Sequence, residues 1–511
     1  MEQTGNRTIV KNTLMLYGRA LLMMLIGLYT SRVILRNLGV TDFGIYNAVG
    51  GIVGMFSVIS GSLGNATSRF ITMAIGKGDQ ELVNKTFGNL KLIYYILCIV
   101  VVILGETLGL WFLYNKMTIP PDRMDAAFWV FQLSILSAIV GFICVPYNSA
   151  IIAHERMSTF AYISLFDASM KLLICYLLAV SPIDKLVMYA SLLFGVSLID
   201  RIIYAVYCNK HFVEVKAKAR LYREQFRGIA SMSGWVFCSN LCWILNTQGV
   251  TLLQNMFFGP VVNAASGIAM QVQGVMSQFV TNFQTAVNPQ ITKSYAREDF
   301  SRMEQLVCFS SKYSYFLLLI MTIPVFIEAP VILKWWLVTV PDYTVVFLRI
   351  ILIYELIGTL SNPLWTSVLA TGKLKKYQAF DTTIQLCLFP IAYLLYKFAH
   401  TPAYTVYILL ALFSFIGLLV RVWIVLPMIH QRYQTYFVRV FLPIFTVSAL
   451  TFVVPILLLR FCSTFGVGQL IVILFSSFIY SCAVVWLLGL NRNDKSIVID
   501  YIKRIFNKRI N

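Results

Sequence analysis

The sequence predicts an all-α polytopic membrane protein of about fourteen transmembrane helices, arranged as two parallel six-helix bundles and two extra C-terminal helices. Two observations lead there. Apolar residues make up 59% of the 511 and charged residues only 12%, whereas a soluble domain carries about 25% charged residues. Apolar runs of about twenty residues, the length a helix needs to cross a bilayer, recur along the whole chain. Helices satisfy their own backbone polar groups, so lipid accepts such a chain. The longest polar connection runs only from about Asn209 to Gly228, too short for a soluble domain.

The spans fall near 14–35, 43–66, 90–113, 126–150, 160–180, 186–208, 230–256, 261–287, 311–335, 344–370, 380–398, 404–426, 437–460 and 468–489. Arg7 and Lys11 precede the first run without a small-residue cleavage site, so the first helix is expected to stay as a signal anchor. The net charge of +19 could suggest nucleic acid. The basic residues instead sit in short loops, and with the N-terminus inside, 28 of the 41 lie in inside segments and seven in outside ones. That bias is the positive-inside signal, so both termini are expected to be cytoplasmic and no nucleic-acid partner is expected. The ten cysteines form no CxxC pair. Cys238 and Cys242 share a helix face with no His or carboxylate beside them, so the cysteines read as small buried hydrophobes and no metal or cofactor is expected.

The chain also matches itself at an offset of 220: Gly39 falls on Gly259, Ala66 on Ala286, Ile71-Thr72 on Ile291-Thr292, Asp79 on Asp299 and Arg201 on Arg421. At 217, Pro146, Ala153 and Arg156 fall on Pro363, Ala370 and Lys373. Six helices per half is an even number, so both halves enter from the same side and a two-fold axis along the membrane normal should relate them. The expected organisation is an N-terminal bundle (1–208), a cytoplasmic amphipathic linker (209–229), a C-terminal bundle (230–428), helices 13 and 14 (429–490) and an amphipathic tail (491–511). Linker and tail both suit an anionic inner leaflet. Two like bundles facing across a cavity suit alternating access.

Six cations fall inside spans: Arg19, Arg32, Lys171, Arg201, Arg349 and Arg421. The in-span anions are Glu106, Asp167, Asp200, Glu328 and Glu355. Each costs roughly 2.5–3.5 kcal/mol at a helix centre unless paired, wet or near an interface. Arg32, Arg201 and Arg421 lie near helix ends and are expected to snorkel, Glu106 and Glu328 sit near the outer interface, and Asp200-Arg201 reads as an interfacial pair. Asp167 and Lys171 are four apart at the middle of helix 5, and are either a structural brace or a cavity-lining pair. Arg19 is deep enough in helix 1 to suggest a cavity role. Arg349 and Glu355 read as a weaker counterpart in helix 10, and Asp167 and Glu355 as candidates for coupling to an ion. In helix 8, Gln271, Gln278 and Asn282 recur at +7 and +11 within a narrow arc, beside Thr285. That stripe serves either interhelical hydrogen bonding or the hydroxyls of a sugar. Helix 7 adds Asn240, Asn246, Gln248 and Gln254.

The run Ser31-Arg32-Val33-Ile34-Leu35-Arg36-Asn37-Leu38-Gly39-Val40-Thr41-Asp42-Phe43-Gly44-Ile45-Tyr46, followed by Ala66-Thr67-Ser68-Arg69-Phe70, resembles the opening of bacterial polysaccharide flippases. These form the Wzx-type branch of the superfamily that also holds multidrug extruders and lipid II flippases. The resemblance implies a non-enzymatic transporter of the bacterial inner membrane. It would move an undecaprenyl-diphosphate-linked oligosaccharide, such as an O-antigen, capsule or exopolysaccharide repeat unit, to the outer leaflet. Its partners would be that lipid-linked oligosaccharide, membrane lipids, and a polysaccharide polymerase with its chain-length regulator. Arg19 matches the cationic first-helix position of such flippases, Arg32 and Arg69 lie in the motif region, and helices 13 and 14 correspond by position to a groove for the lipid tail. A diphosphate favours arginine and lysine, which sets this reading above an ion-coupled multidrug antiporter with carboxylates for cationic drugs. A membrane glycosyltransferase or polymerase is disfavoured by the short outer loops.

Overall fold

The computed structural model describes residues 2–76, 78–154, 156–180, 184–222, 248–337, 339–461, 466–490 and 495, and among them there is no strand. Nine described helical segments are long and apolar enough to cross a membrane. The protein is therefore a multi-pass, all-helical membrane protein.

The chain begins with α1 (Glu2–Gly76), which is two helices joined at a kink: at Gly39 the backbone leaves helical geometry with φ 78°. Only glycine adopts that conformation without strain, so this residue separates the two legs. There follow α2 (Gln80–Leu104), α3 (Leu110–Asn115), α4 (Met124–Ala153), α5 (Met157–Val180) and α6 (Lys185–His211). A further helix, α7, is described over 248–258. Then come α8 (Pro260–Ala296), α9 (Phe300–Ile327), α10 (Ala329–Trp336), α11 (Thr344–Thr359), α12 (Ser361–Thr371), α13 (Leu374–Phe398), α14 (Thr405–Met428), α15 (Tyr433–Tyr436), α16 (Leu442–Phe461) and α17 (Gly466–Val484). Asn240, Asn246, Cys238, Cys242 and the expected tail helix fall outside the described residues.

The sequence repeat reappears as a repeat of helix starts. Gln80 and Phe300, Met124 and Thr344, and Lys185 and Thr405 each open a helix 220 residues apart, and Met157 and Leu374 do so 217 apart. Gly39 and Gly259 share a positive φ of 78° and 80°. Gly78 and Glu298 do so before α2 and α9, and Asp79 and Asp299 cap those two helices by accepting from backbone amides of the first turn.

By contacts the chain divides into two compact units. One comprises Met1–Ile268, Leu337–Asp342 and Phe389–Ala403, the other Ala269–Trp336, Tyr343–Leu388 and Tyr404–Asn511. In the first, α1 packs on α4 and α5, and α4 on α6. At one end of this unit Arg123, in the turn before α4, reaches Asp42 and Asp184 at 2.6 Å each. Asp184 also caps α6 through the Leu186 and Val187 amides. The two carboxyls respond differently to one guanidinium. Burial raises Asp42 despite Arg123, whereas Asp184, where burial also pulls upward, is held lower by Arg123 and two amides. At the other end, the segment after α6 is part of the core: Phe212 and Val215 are buried with Phe87, Leu90, Tyr147 and Ile151. In the second unit α9 packs against α11, α16 and α17, and α14 against α11 and α12.

Candidate functional site

The first unit encloses a cavity of about 380 Å³ lined from α1 by Tyr46, Gly50, Val53 and Gly54. Ser134, Ser137 and Ala138 of α4 line it too, with Asp167 and Lys171 of α5 and Ala190, Leu193, Val196 and Ser197 of α6. Four helices supply the wall, and on the α1 side a Cβ built at Gly50 would meet nothing within 4 Å. Lys171 donates to Asp167 at 2.8 Å. The lysine is half-exposed and the aspartate part-buried, so the pair is reachable from outside the protein. The pair thus lines a cavity as well as spanning one turn of helix. Tyr46 closes one side of the cavity with Tyr189, the rings meeting edge to face at 4.7 Å.

The second unit holds the other candidates. Glu355 of α11 accepts a hydrogen bond from Gln273 of α8 at 2.5 Å. Gln284 of α8 donates to the Thr359 carbonyl at 2.9 Å. Gln273 lies about 200° round the helix from Gln271, at roughly 100° per residue. The α8 face bonded to α11 is therefore opposite the stripe of Gln271, Gln278 and Asn282. Gln278 is exposed and Gln271 half-buried, while the Asn282 side chain lies outside the description. Arg32 is exposed near the end of the first leg of α1. The side chains of Arg19 and Arg69 are outside the description. Asp167 and Lys171 thus come together, whereas the α8 stripe and Glu355 belong to the other unit.

Several expectations are corrected. Arg421 does not snorkel: it is half-buried, with Nε 2.8 Å from Asp381 Oδ1 and one terminal nitrogen 2.6 Å from Ser361 Oγ. Arg201 lies over the Tyr147 ring at 4.1 Å and donates to its hydroxyl at 3.1 Å rather than pairing with Asp200. Arg349 does not partner Glu355. It donates to the Phe326 and Ile327 carbonyls at 3.0 and 3.3 Å, satisfying the C-terminal end of α9 with a cation. Glu328 is buried at that helix end. Sequence reasoning missed Asp381, Gln273, Tyr46 and the three cavity serines. Asp381 was missed because Arg421, placed near a helix end, was expected to reach water rather than a counter-ion.

Residues 9–295, more than half of the chain, match the family model described as polysaccharide biosynthesis protein. The chain belongs to that family. In fold it is similar to MurJ, a lipid II flippase, in an inward closed conformation, with a TM-score of 0.70 at 13% identity over 92% of this chain and 98% of that one. It is also similar to an inward-facing multidrug resistance MATE transporter of the MOP superfamily, with a TM-score of 0.66 at 12% identity over 78% of this chain and 92% of that one. A MOP superfamily transporter from Pyrococcus furiosus gives 0.51 at 14% identity over 79% and 93%. Among curated proteins none matches. This polysaccharide biosynthesis protein therefore has the fold of membrane flippases and transporters.

Proposed function

We propose that the protein flips an undecaprenyl-diphosphate-linked oligosaccharide from the inner to the outer leaflet of the bacterial inner membrane by alternating access, with both termini cytoplasmic. The repeat unit would belong to an O-antigen, capsule or exopolysaccharide, and a polymerase with its chain-length regulator would act on it afterwards. The observation that carries this reading over drug extrusion is the state of Asp167. A cationic drug needs a buried carboxylate free to meet it, and Asp167 already has Lys171 at 2.8 Å. The diphosphate falls to Arg19 and Arg32, while Lys171 stays with Asp167. Sugar hydroxyls fall to the stripe of Gln271, Gln278 and Asn282, whose opposite face carries the interhelical bonds. Of the two carboxylates considered for coupling, Asp167 is committed to its lysine, so the role is assigned to Glu355, which has only a neutral amide as its bonded partner among the hydrogen bonds and ion pairs above. The protein performs no covalent chemistry in this reading.

Replacing Arg19 by Ala tests it in cells. Surface polysaccharide should be lost while the protein still reaches the membrane. Retention of surface polysaccharide with loss of dye efflux alone would transfer the assignment to the antiporter.

A further inference from the structure

The cavity of the first unit has a chemistry distinct from that of the arginines. Its ionic groups cancel, because Lys171 and Asp167 form an ion pair at its wall. A metal cation placed there would meet the Lys171 ammonium. A phosphate would meet Asp167. Neither charge sign is accommodated without breaking the pair, whereas a neutral ligand rich in hydroxyls needs no such break.

The hydrogen-bonding inventory suits such a ligand. Ser137 and Ser197 spend their protons on the Leu133 and Leu193 carbonyls at 2.8 and 3.0 Å, so their oxygens remain acceptors. Lys171 spends one proton on Asp167 and keeps two to donate. Ser134 adds a third hydroxyl, and the Tyr46 ring gives an aromatic wall. A volume of about 380 Å³ is at the small end for ligand pockets. It suits a single pyranose ring. Room on the α1 side exists because Gly50 has no side chain: a Cβ built there meets nothing within 4 Å.

We propose that this cavity is a saccharide subsite, which takes one uncharged pyranose unit through the Asp167–Lys171 pair and the hydroxyls of Ser134, Ser137 and Ser197. The proposal rests on the flippase reading and adds a second place where the cargo's sugar is held, inside one bundle and apart from the α8 stripe.

The test uses the purified full chain in detergent micelles and saturation-transfer NMR with free glucose, galactose, N-acetylglucosamine and rhamnose. At least one sugar should receive saturation above protein-free micelles. Gly50→Leu, which extends a side chain into the open space, should weaken its apparent affinity by about tenfold or more, the effect of losing roughly one good contact. Asp167→Asn should weaken it similarly, and Gly141→Ala, at another glycine whose Cβ meets nothing, should not. Gel-filtration profiles confirm that the variants remain folded. The subsite is overturned if no sugar is saturated, if Gly50→Leu and Asp167→Asn both bind as the parent does, or if inorganic pyrophosphate competes for the bound sugar. If no sugar binds while Arg19→Ala abolishes surface polysaccharide, only the subsite fails. If Gly50→Leu abolishes sugar binding while Arg19→Ala leaves surface polysaccharide intact, the subsite stands and the flippase reading fails.

Discussion

Arg421 and Asp381 illustrate how a charge is carried at depth in this protein. Their side chains are 16% and 13% exposed and 2.6 Å apart, with Ser361 taking a further guanidinium proton. Removing one partner leaves an uncompensated charge in a low-dielectric setting, which typically costs about 3–5 kcal/mol, whereas replacing both by apolar residues is often neutral. Asp381→Leu should therefore lower the unfolding temperature of the detergent-solubilised protein strongly, and the double variant Asp381→Leu with Arg421→Met should recover most of the loss. Equal loss in single and double variants would contradict the pairing. The need for such a partner was not legible, because Arg421 stands near the end of its apolar run, where snorkelling offers an escape. Nor was its identity. Lys375 and Lys376 push the expected start of that span to 380, while the helix opens at Leu374 and so places Asp381 two turns inside it.

At the scale of elements, the helices were legible because twenty-residue apolar runs leave few alternatives, and the glycine at 39 marked the division of α1 that its φ of 78° makes. The packing of the segment after α6 was not legible, since its partners are distant in sequence. Asn89 of α2 accepts from the Tyr222 amide at 2.7 Å and donates to its carbonyl at 3.1 Å. Lys91 donates to the carbonyls of Val215 and Ala217. His154, stacked on Phe212 at 4.3 Å, contacts the buried Glu214 carboxyl. Gly88 makes the approach possible, because a Cβ there would stand 2.7 Å from the Lys218 carbonyl oxygen. Gly88→Val should lift this segment from α2 and free its backbone to enter the trypsin active site at Lys216, Lys218 and Arg220, whose side chains are already exposed. Cleavage there should accelerate about fivefold or more for each kcal/mol of docking lost. An unchanged cleavage rate would show that the contact at Gly88 does not hold the segment.

For the whole molecule, composition alone placed the protein in a bilayer, and the family match and the flippase-like fold agree with the resemblance carried by the Arg36–Tyr46 motif. The site was legible only in part. The spacing of Asp167 and Lys171 announced a pair on one helix face, but the rest of the wall comes from Tyr46, Ser134, Ser137 and Ser197 on three other helices. No single-helix periodicity brings those residues together. The central claim is that the protein moves a lipid-linked oligosaccharide between leaflets, and a leaflet-accessibility assay addresses it directly. Proteoliposomes containing the purified protein and undecaprenyl-diphosphate-linked oligosaccharide extracted from the producing cells would be exposed to a membrane-impermeant glycosidase. The account predicts that the glycosidase reaches nearly all of the oligosaccharide, against only the outer-leaflet share in protein-free vesicles. Digestion that stops at the same share with and without the protein, under every imposed ion gradient, would contradict it.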